Sequence, residues 1–452
     1  MTGLSGTYVS SPAEQGKTLV NRMRRPKTAT AAEADAMRER PDMHSTPQPF
    51  DESAPPPNEH PASIVLPLPP PGTMGPPEEY GRLRRECPVA RLRDADSPSW
   101  YVTRYADVRA VIADARLIRP SVNSWSFQGE RETPDGPELI TMMEMEGPRH
   151  TALRRALAEA FNARSVRRLL PRIRRSADQL LDAVADGGPP GDLIAGYTEP
   201  FPLSVVCETV GIPYEDRDFF LPLADAALGA LLTLEEARRA TPPLRDYMRS
   251  LIARKRRVPA DDILSDLVRR CDGGELDEEA VLSFGLSMLV AGYRTTTMFL
   301  SDALVLLLSE PERYARLRDD RTLLPGAVEE LLRHIPVMNG VVVLRATEDI
   351  TLHGRTIRAG DAVLPVLASA NRDETVFDEP ERLDLCRQPN PHIVFGRGAH
   401  NCIGAHLARA EMTVGLEALM DRFPHLRLAE GTAPTWDDAS PAKSPLTLPV
   451  SW

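Results

Sequence analysis

Residues 281–308, VLSFGLSMLVAGYRTTTMFLSDALVLLL, constrain the fold more than any other stretch of the chain. They read as the centre of one long helix that begins near Asp277 and ends before Pro311. A helix that is apolar on nearly every side belongs inside a core rather than on a surface. Arg294 and Asp302 interrupt the run, and no uninterrupted apolar stretch reaches the roughly 18 residues that span a bilayer. The expectation is a large core with a helix through it and no membrane anchor.

The rest of the chain supports a mostly helical body. RHTALRRALAEAFNARSVRRLLPRIRRSADQLLDAVAD reads as two helices, with apolar residues at i, i+3, i+4 and i+7. WYVTRYADVRAVIAD reads as a strand turning into a helix, with Asp107 near the helix start. LEEARRATPPLRDYMRSLIARKRR reads as a further pair of helices interrupted at Pro242 and Pro243. LLPGAVEELLRHIP is a shorter helix stopped by Pro336, and strand-like pieces follow it: GVVVLRAT, ITLHG, TIRAG and AVLPVLAS. The fold class is mainly α, with small β-sheets gathered in the second half.

Residues 1–77 differ. They are rich in Pro, Ser, Thr and Glu and show no helical period, so they cannot bury enough apolar surface to offset their ordering entropy. They read as a Pro-rich, disordered extension, with SIVLPLPPPGTMGPP lying against the surface as polyproline. Residues 78–452 read as one domain without a linker or repeat. Five cysteines, odd in number and without CxxC pairs, argue against a disulfide framework or a zinc site and fit a reducing cytosol. A net charge of −11 argues against nucleic acid as a partner. The first residues lack an apolar signal-peptide core, so the expected location is the cytoplasm.

One cysteine sits in an unusual setting. FGRGAHNCIGAHLAR, residues 395–409, crowds Gly396, Gly398 and Gly404 around Cys402 and then runs into a helix. The glycines permit backbone shapes that a Cβ would obstruct and let something flat or bulky approach. A helix starting just after Cys402 would aim its N–H groups at the sulfur and favour thiolate. On the residues alone, Cys402 is a nucleophile, a metal ligand or an inert buried thiol.

Phe395-Gly396-x-Gly398-x-His400-x-Cys402-x-Gly404 resembles the haem-binding loop of the cytochrome P-450 family, in which the cysteine is the axial iron ligand. Glu330-x-x-Arg333, about 70 residues earlier, resembles that family's structural Glu–Arg pair, and Arg382 sits where the family places the third member of the charge network. The resemblance runs over residues 78–452 and is closest to soluble bacterial, actinobacterial members. It implies the cytochrome P-450 fold and haem b. It implies further that His150 and Arg154, Arg345 and His400 hold the haem propionates. Phe395, Gly396, Gly404 and Cys402 would form the haem loop, with Cys402 the metal ligand.

The resemblance also places the long helix over the other face of the iron. Ala291 and Gly292 leave room for oxygen there, and Thr295 helps deliver protons to it. The Thr295 hydroxyl is positioned to bond the carbonyl of Ala291 and so bend the helix. The family usually has Asp or Glu just before this threonine; this chain has Arg294. An arginine stays charged and cannot relay protons as a carboxylate does. Two readings stay open: Arg294 points away into a water channel or a salt bridge, or it marks radical coupling rather than hydroxylation. Substrate contacts are expected from PSVNSWSFQGERE, with Trp125 and Phe127, from Leu289 to Thr296, and from Val337 to Val343.

The implied function is oxidation of a small hydrophobic or aromatic metabolite in specialised (secondary) metabolite biosynthesis. It would use O2 and two electrons passed from NAD(P)H through a ferredoxin reductase and a ferredoxin, either for hydroxylation or for radical C–C or C–N coupling. An aromatic compound or a tryptophan-containing cyclic dipeptide is among the candidate substrates. Two rivals are a non-catalytic haem protein acting as recruiter or sensor, and a hydrolase or transferase using Cys402 as nucleophile.

Overall fold

The computed structural model describes residues 63–64, 74–92, 98–120, 125–126, 129–130, 141–228, 234–337, 342–436 and 444–452. The body that runs from residue 62 to the C-terminus is mostly helical. The two helices expected after His150 are present: α1, Gly147–Leu157, and α2, Ala163–Gly187. The Asn162 side chain caps α2 by accepting the N–H of Ser165.

The apolar run at 281–308 is buried, but as two helices rather than one: α3, Glu278–Ala291, and α4, Arg294–Leu308. Asp277 starts α3 by accepting the N–H of Ala280 at 2.7 Å. The break falls at Gly292 and Tyr293. There the Thr295 hydroxyl donates to the Ala291 carbonyl at 3.3 Å, competing for a helical acceptor. A Cβ at Gly292 would stand 2.6 Å from the Met288 carbonyl oxygen, so only glycine fits this junction. Two further helices complete the frame of the site: α5, Leu324–His334, and α6, Ala405–Arg422.

The interruption expected at Pro242 and Pro243 is absent; one helix spans Leu234–Arg257. Ala240, Leu244, Met248, Leu251 and Ile252 bury one continuous stripe. The carbonyls that lose their amide partners belong to Arg238 and Arg239, which are exposed, so water can serve them. Packing of the stripe outweighs the cost of about 3 kcal/mol that each interior proline carries.

The main sheet has six strands. They are β1, Ser63–Ile64; β2, Val89–Leu92; β3, Ser99–Val102; β4, Leu117–Ile118; β5, Leu344–Ala346; and β6, Ala362–Pro365. Their spatial order is β1-β2-β3-β6-β5-β4, with β1 parallel to β2, β6 parallel to β3 and the other pairs antiparallel. Both faces are covered: Val102, Val363 and Leu344 pack on one side, Tyr101, Leu364 and Ala362 on the other, as the period of two requires. Ser63 and Ile64 belong to the segment read as surface polyproline, and they pair instead with Arg91 and Leu92. Residues 1–62 and 65–73 lie outside the described residues. No helix among the described residues is long and apolar enough to cross a membrane.

Candidate active site

The cysteine loop is held by its own backbone. Gly396 and Gly398 adopt φ of +69° and +77°, the left-handed region that favours glycine. A Cβ on Gly398 would also press to 3.2 Å from the Ile112 carbonyl. The Cys402 N–H donates to the Phe395 carbonyl at 2.8 Å, closing the loop, and α6 starts three residues on. Gly404 plays a different part from the other two glycines: its φ is ordinary, and an added Cβ would stand 4.0 Å from Cys402 Sγ. Its absence keeps the side of the sulfur open.

The thiol does not follow the expected direction. Cys402 retains an accessible surface, yet the protein packed around it pushes its pKa up; the Gly404 N–H and the charges of Arg154 and Arg409 oppose this without reversing it. The helix start acts on the sulfur as expected, and desolvation is the larger effect.

Glu330 and Arg333 form a fully buried bidentate pair, with both bonds at 2.8 Å. Arg333 also donates to the carbonyls of Asn371, Pro380 and Arg382. The third member of the network is Arg387, not Arg382. Arg387 Nε reaches both oxygens of Glu330 at 3.1 Å and its other nitrogens donate to the carbonyls of Asp378, Glu379 and Arg382. The Arg382 side chain is exposed and pairs with Glu379; only its carbonyl enters the network.

The residues expected to meet propionates converge. His150 and His400 stack with ring centroids 4.4 Å apart. His400 bonds Glu146 at 3.1 Å, and Arg154 donates to the Asn401 carbonyl at 2.8 Å. Glu146 also accepts the backbone N–H of Arg119 at 2.8 Å. Arg119 follows β4, whose Ile118 is registered with Arg345 of β5, so Arg345 joins the same region. Burial, with His400 and Arg154 nearby, pushes His150 down to about 4, so it is a neutral donor rather than a cation. Arg119 escaped the sequence reading. Its Nε is buried without a hydrogen-bond partner, and burial lowers its pKa. Its one sequence signal is a cation directly after a short apolar strand.

On the helix pair α3–α4 most residues are buried; besides the first turn of α3 and Arg294, Val305 and Leu306, the exceptions share one face. Met288, Ala291, Gly292 and Thr295 are all partly accessible and lie at i, i+3, i+4 and i+7, on one face. Arg294 leaves that face and approaches Glu199, 3.9 Å away. The expected substrate residues are less defined: for Trp125 only the backbone is described, in a short strand, and Phe127 and residues 338–341 lie outside the described residues.

Comparison with known proteins agrees with this arrangement. The cytochrome P-450 family model matches residues 233–445. Nocardicin C N-oxygenase of Nocardia uniformis subsp. tsuyamanensis is 41% identical over 377 residues, 82% of this chain and 94% of the relative. Mycinamicin IV hydroxylase/epoxidase of Micromonospora griseorubida is 41% identical over 382 residues, with the same coverages. The crystal structure of HinD with NMFT and NO superimposes with a TM-score of 0.78 at 38% identity, over 87% of this chain and all of the other. That of the mycinamicin VIII C21 methyl hydroxylase MycCI from Micromonospora griseorubida, bound to mycinamicin VIII, gives 0.78 at 32% identity, over 86% and 98%.

The fold and the cysteine loop are those of a haem-thiolate oxidoreductase, and the chain belongs to the cytochrome P-450 family. It is a monooxygenase that uses haem and takes its electrons from a redox partner. The residues present fit that group. Gly404 leaves the side of Sγ open, and Arg119 Nε is a buried donor suited to a carboxylate.

Proposed function

We propose that the chain inserts one atom of O2 into a small hydrophobic metabolite, as a step of secondary metabolite biosynthesis, with Cys402 as the iron ligand. The observation that carries this reading is the accessible stripe Met288-Ala291-Gly292-Thr295, from which Arg294 is turned away toward Glu199. A side chain off that face does not obstruct a proton route through Thr295. The Arg294 substitution therefore supports a salt bridge more than a change of chemistry. Relatives named as an N-oxygenase and a hydroxylase/epoxidase of natural products support oxygen insertion.

Bound haem supplies oxygen activation, with the thiolate pushing electron density onto iron. The chain's residues do the rest. Arg154, Arg345 and Arg119, with His150 and His400, would hold the two propionates. Phe395, Gly396 and Gly404 keep the loop shaped around Cys402. Ala291 and Gly292 leave space, and Thr295 holds a proton at Oγ1, now donated to the Ala291 carbonyl. Oxygen insertion consumes two electrons and two protons per O2; one oxygen atom enters the product and the other leaves as water. In this reading the electrons come from NAD(P)H through a ferredoxin reductase and ferredoxin, the enzyme works in the cytoplasm, and the extension expected at 1–77 is shorter, residues 1–61, because Ser63 and Ile64 already pair in the main sheet.

The test is turnover under labelled oxygen gas. The expected product carries one labelled atom, tightly coupled to electron use. A native product formed without label, with all the oxygen reduced to water, would replace this reading by radical coupling.

A further inference from the structure

Behind the cysteine loop lies a second charged arrangement, separate from the Glu330 network although it starts on the adjacent residue. Glu329, on α5, accepts Arg409 Nε at 2.6 Å and Arg409 Nη2 at 2.9 Å, a bidentate pair reaching across to α6. The same carboxylate bonds His392 Nε2 at 2.9 Å, and the other ring nitrogen of His392 accepts the Val394 N–H at 3.4 Å. His392 is thereby fixed as the tautomer that donates to Glu329. Its side chain is 3% exposed, whereas Glu329 and Arg409 are about one-third exposed. Burial works to raise the Glu329 pKa, but the bonds from His392 and Arg409 hold it down to about 2, so Glu329 is ionised throughout the working range.

The geometry aims this pair at the cysteine. The Arg409 guanidinium lies over the Phe395 ring, 4.4 Å from its centroid. The Phe395 carbonyl is the acceptor that closes the loop on the Cys402 N–H. Arg409 thus touches the residue that shapes the loop, and its charge acts on the sulfur.

Resting on the assignment of Cys402 as iron ligand, we propose that Arg409 is a positioning residue that sets the reduction potential at the haem, and that Glu329 is its counterweight. A cation beside the sulfur stabilises the state with the extra electron, and a carboxylate paired with that cation cancels part of the effect. The two members of the pair therefore act in opposite directions. A purely structural clamp has no such sign: loosening it from either side would do the same thing.

The experiment is a reductive titration of the substrate-free holoenzyme and three variants, with the carbon monoxide spectrum of each recorded alongside. Arg409→Gln is expected to shift the ferric/ferrous ratio toward ferric by about tenfold, about 59 mV for one electron. Glu329→Gln is expected to shift it toward ferrous. Arg409→Lys, which keeps the charge and loses the fork, is expected to stay near wild type. Shifts of the same sign in Arg409→Gln and Glu329→Gln, or no shift in either while thiolate ligation persists, would overturn the proposal. Should Arg409→Gln fail to load haem, Glu329→Gln decides alone, and an unmoved or lowered potential overturns it. A wild-type spectrum without the thiolate band would instead refute the Cys402 assignment.

Discussion

At the scale of single residues, the chain spends its arginines unequally. Glu330, itself fully buried with Arg333, receives donors from Arg333, Arg387, Asn390 and the Asp384 backbone, the last three only partly accessible. Removing one member leaves buried charge without compensation, which costs on the order of 3–5 kcal/mol. Glu330→Ala is therefore expected to give insoluble or haem-free protein, and Arg387→Ala a marked loss of thermal stability. Arg382→Ala removes only an exposed pair with Glu379 and is expected to leave the melting curve close to wild type. Melting curves of the three variants check the ranking, and an Arg382→Ala as damaging as Arg387→Ala would contradict it. Glu330 and Arg333 were legible through the resemblance, as a Glu-x-x-Arg about 70 residues before the cysteine loop, with the i, i+3 spacing placing both on one helix face. Arg387 was not, because Arg382 and Arg387 lie on the same irregular segment, and only its path decides which side chain turns inward.

At the scale of elements, the junction between α3 and α4 is the part built for function. Gly292 has no room for a side chain, and Thr295 draws the Ala291 carbonyl out of the regular ladder. Gly292→Ala is expected to destabilise by about 1–3 kcal/mol through overpacking and to disturb the accessible stripe. A thermal midpoint and a substrate-induced haem spectrum both equal to wild type would contradict that. Asp277→Ala should cost about 1 kcal/mol, chiefly through the lost cap because its ion pair with Arg149 is exposed, without touching the spectrum. The helices Gly147–Leu157, Ala163–Gly187 and Leu324–His334 were readable in the sequence, whereas Pro200–Val210, Arg217–Leu228, Ile263–Asp272 and Pro311–Asp319 were not read. The reading failed where tertiary packing overrode local signals. A buried stripe carries the helix Leu234–Arg257 through Pro242 and Pro243, and the bond from the Thr295 hydroxyl to the Ala291 carbonyl, expected to bend the long helix, accompanies a full break in it. The propionate-side group was legible by resemblance except for Arg119, which enters through the pairing of β4 with β5.

At the scale of the whole molecule, two histidines with lowered pKa, His334 and His150, set an acid limit. Burial, followed by Arg372, Arg333 and other nearby arginines, pushes His334 down to about 2, and His150 lies at about 4, both from an ordinary 6.5. Below 6.5 the unfolded chain takes up protons that the folded one refuses. Their contribution is fully present above that pH and is lost progressively as the pH falls toward the folded values. The melting temperature should therefore begin to drop just below 6.5, and His334→Gln should flatten that limb; an unchanged slope in the variant would contradict it. The central claim, that this body is assembled around a thiolate from Cys402, is tested most directly by the carbon monoxide spectrum of reduced holoprotein. Wild type is expected to absorb at about 450 nm, the mark of thiolate ligation, and Cys402→Ser to lose that band. Well-folded, haem-loaded wild type showing only a band typical of histidine ligation would contradict the assignment.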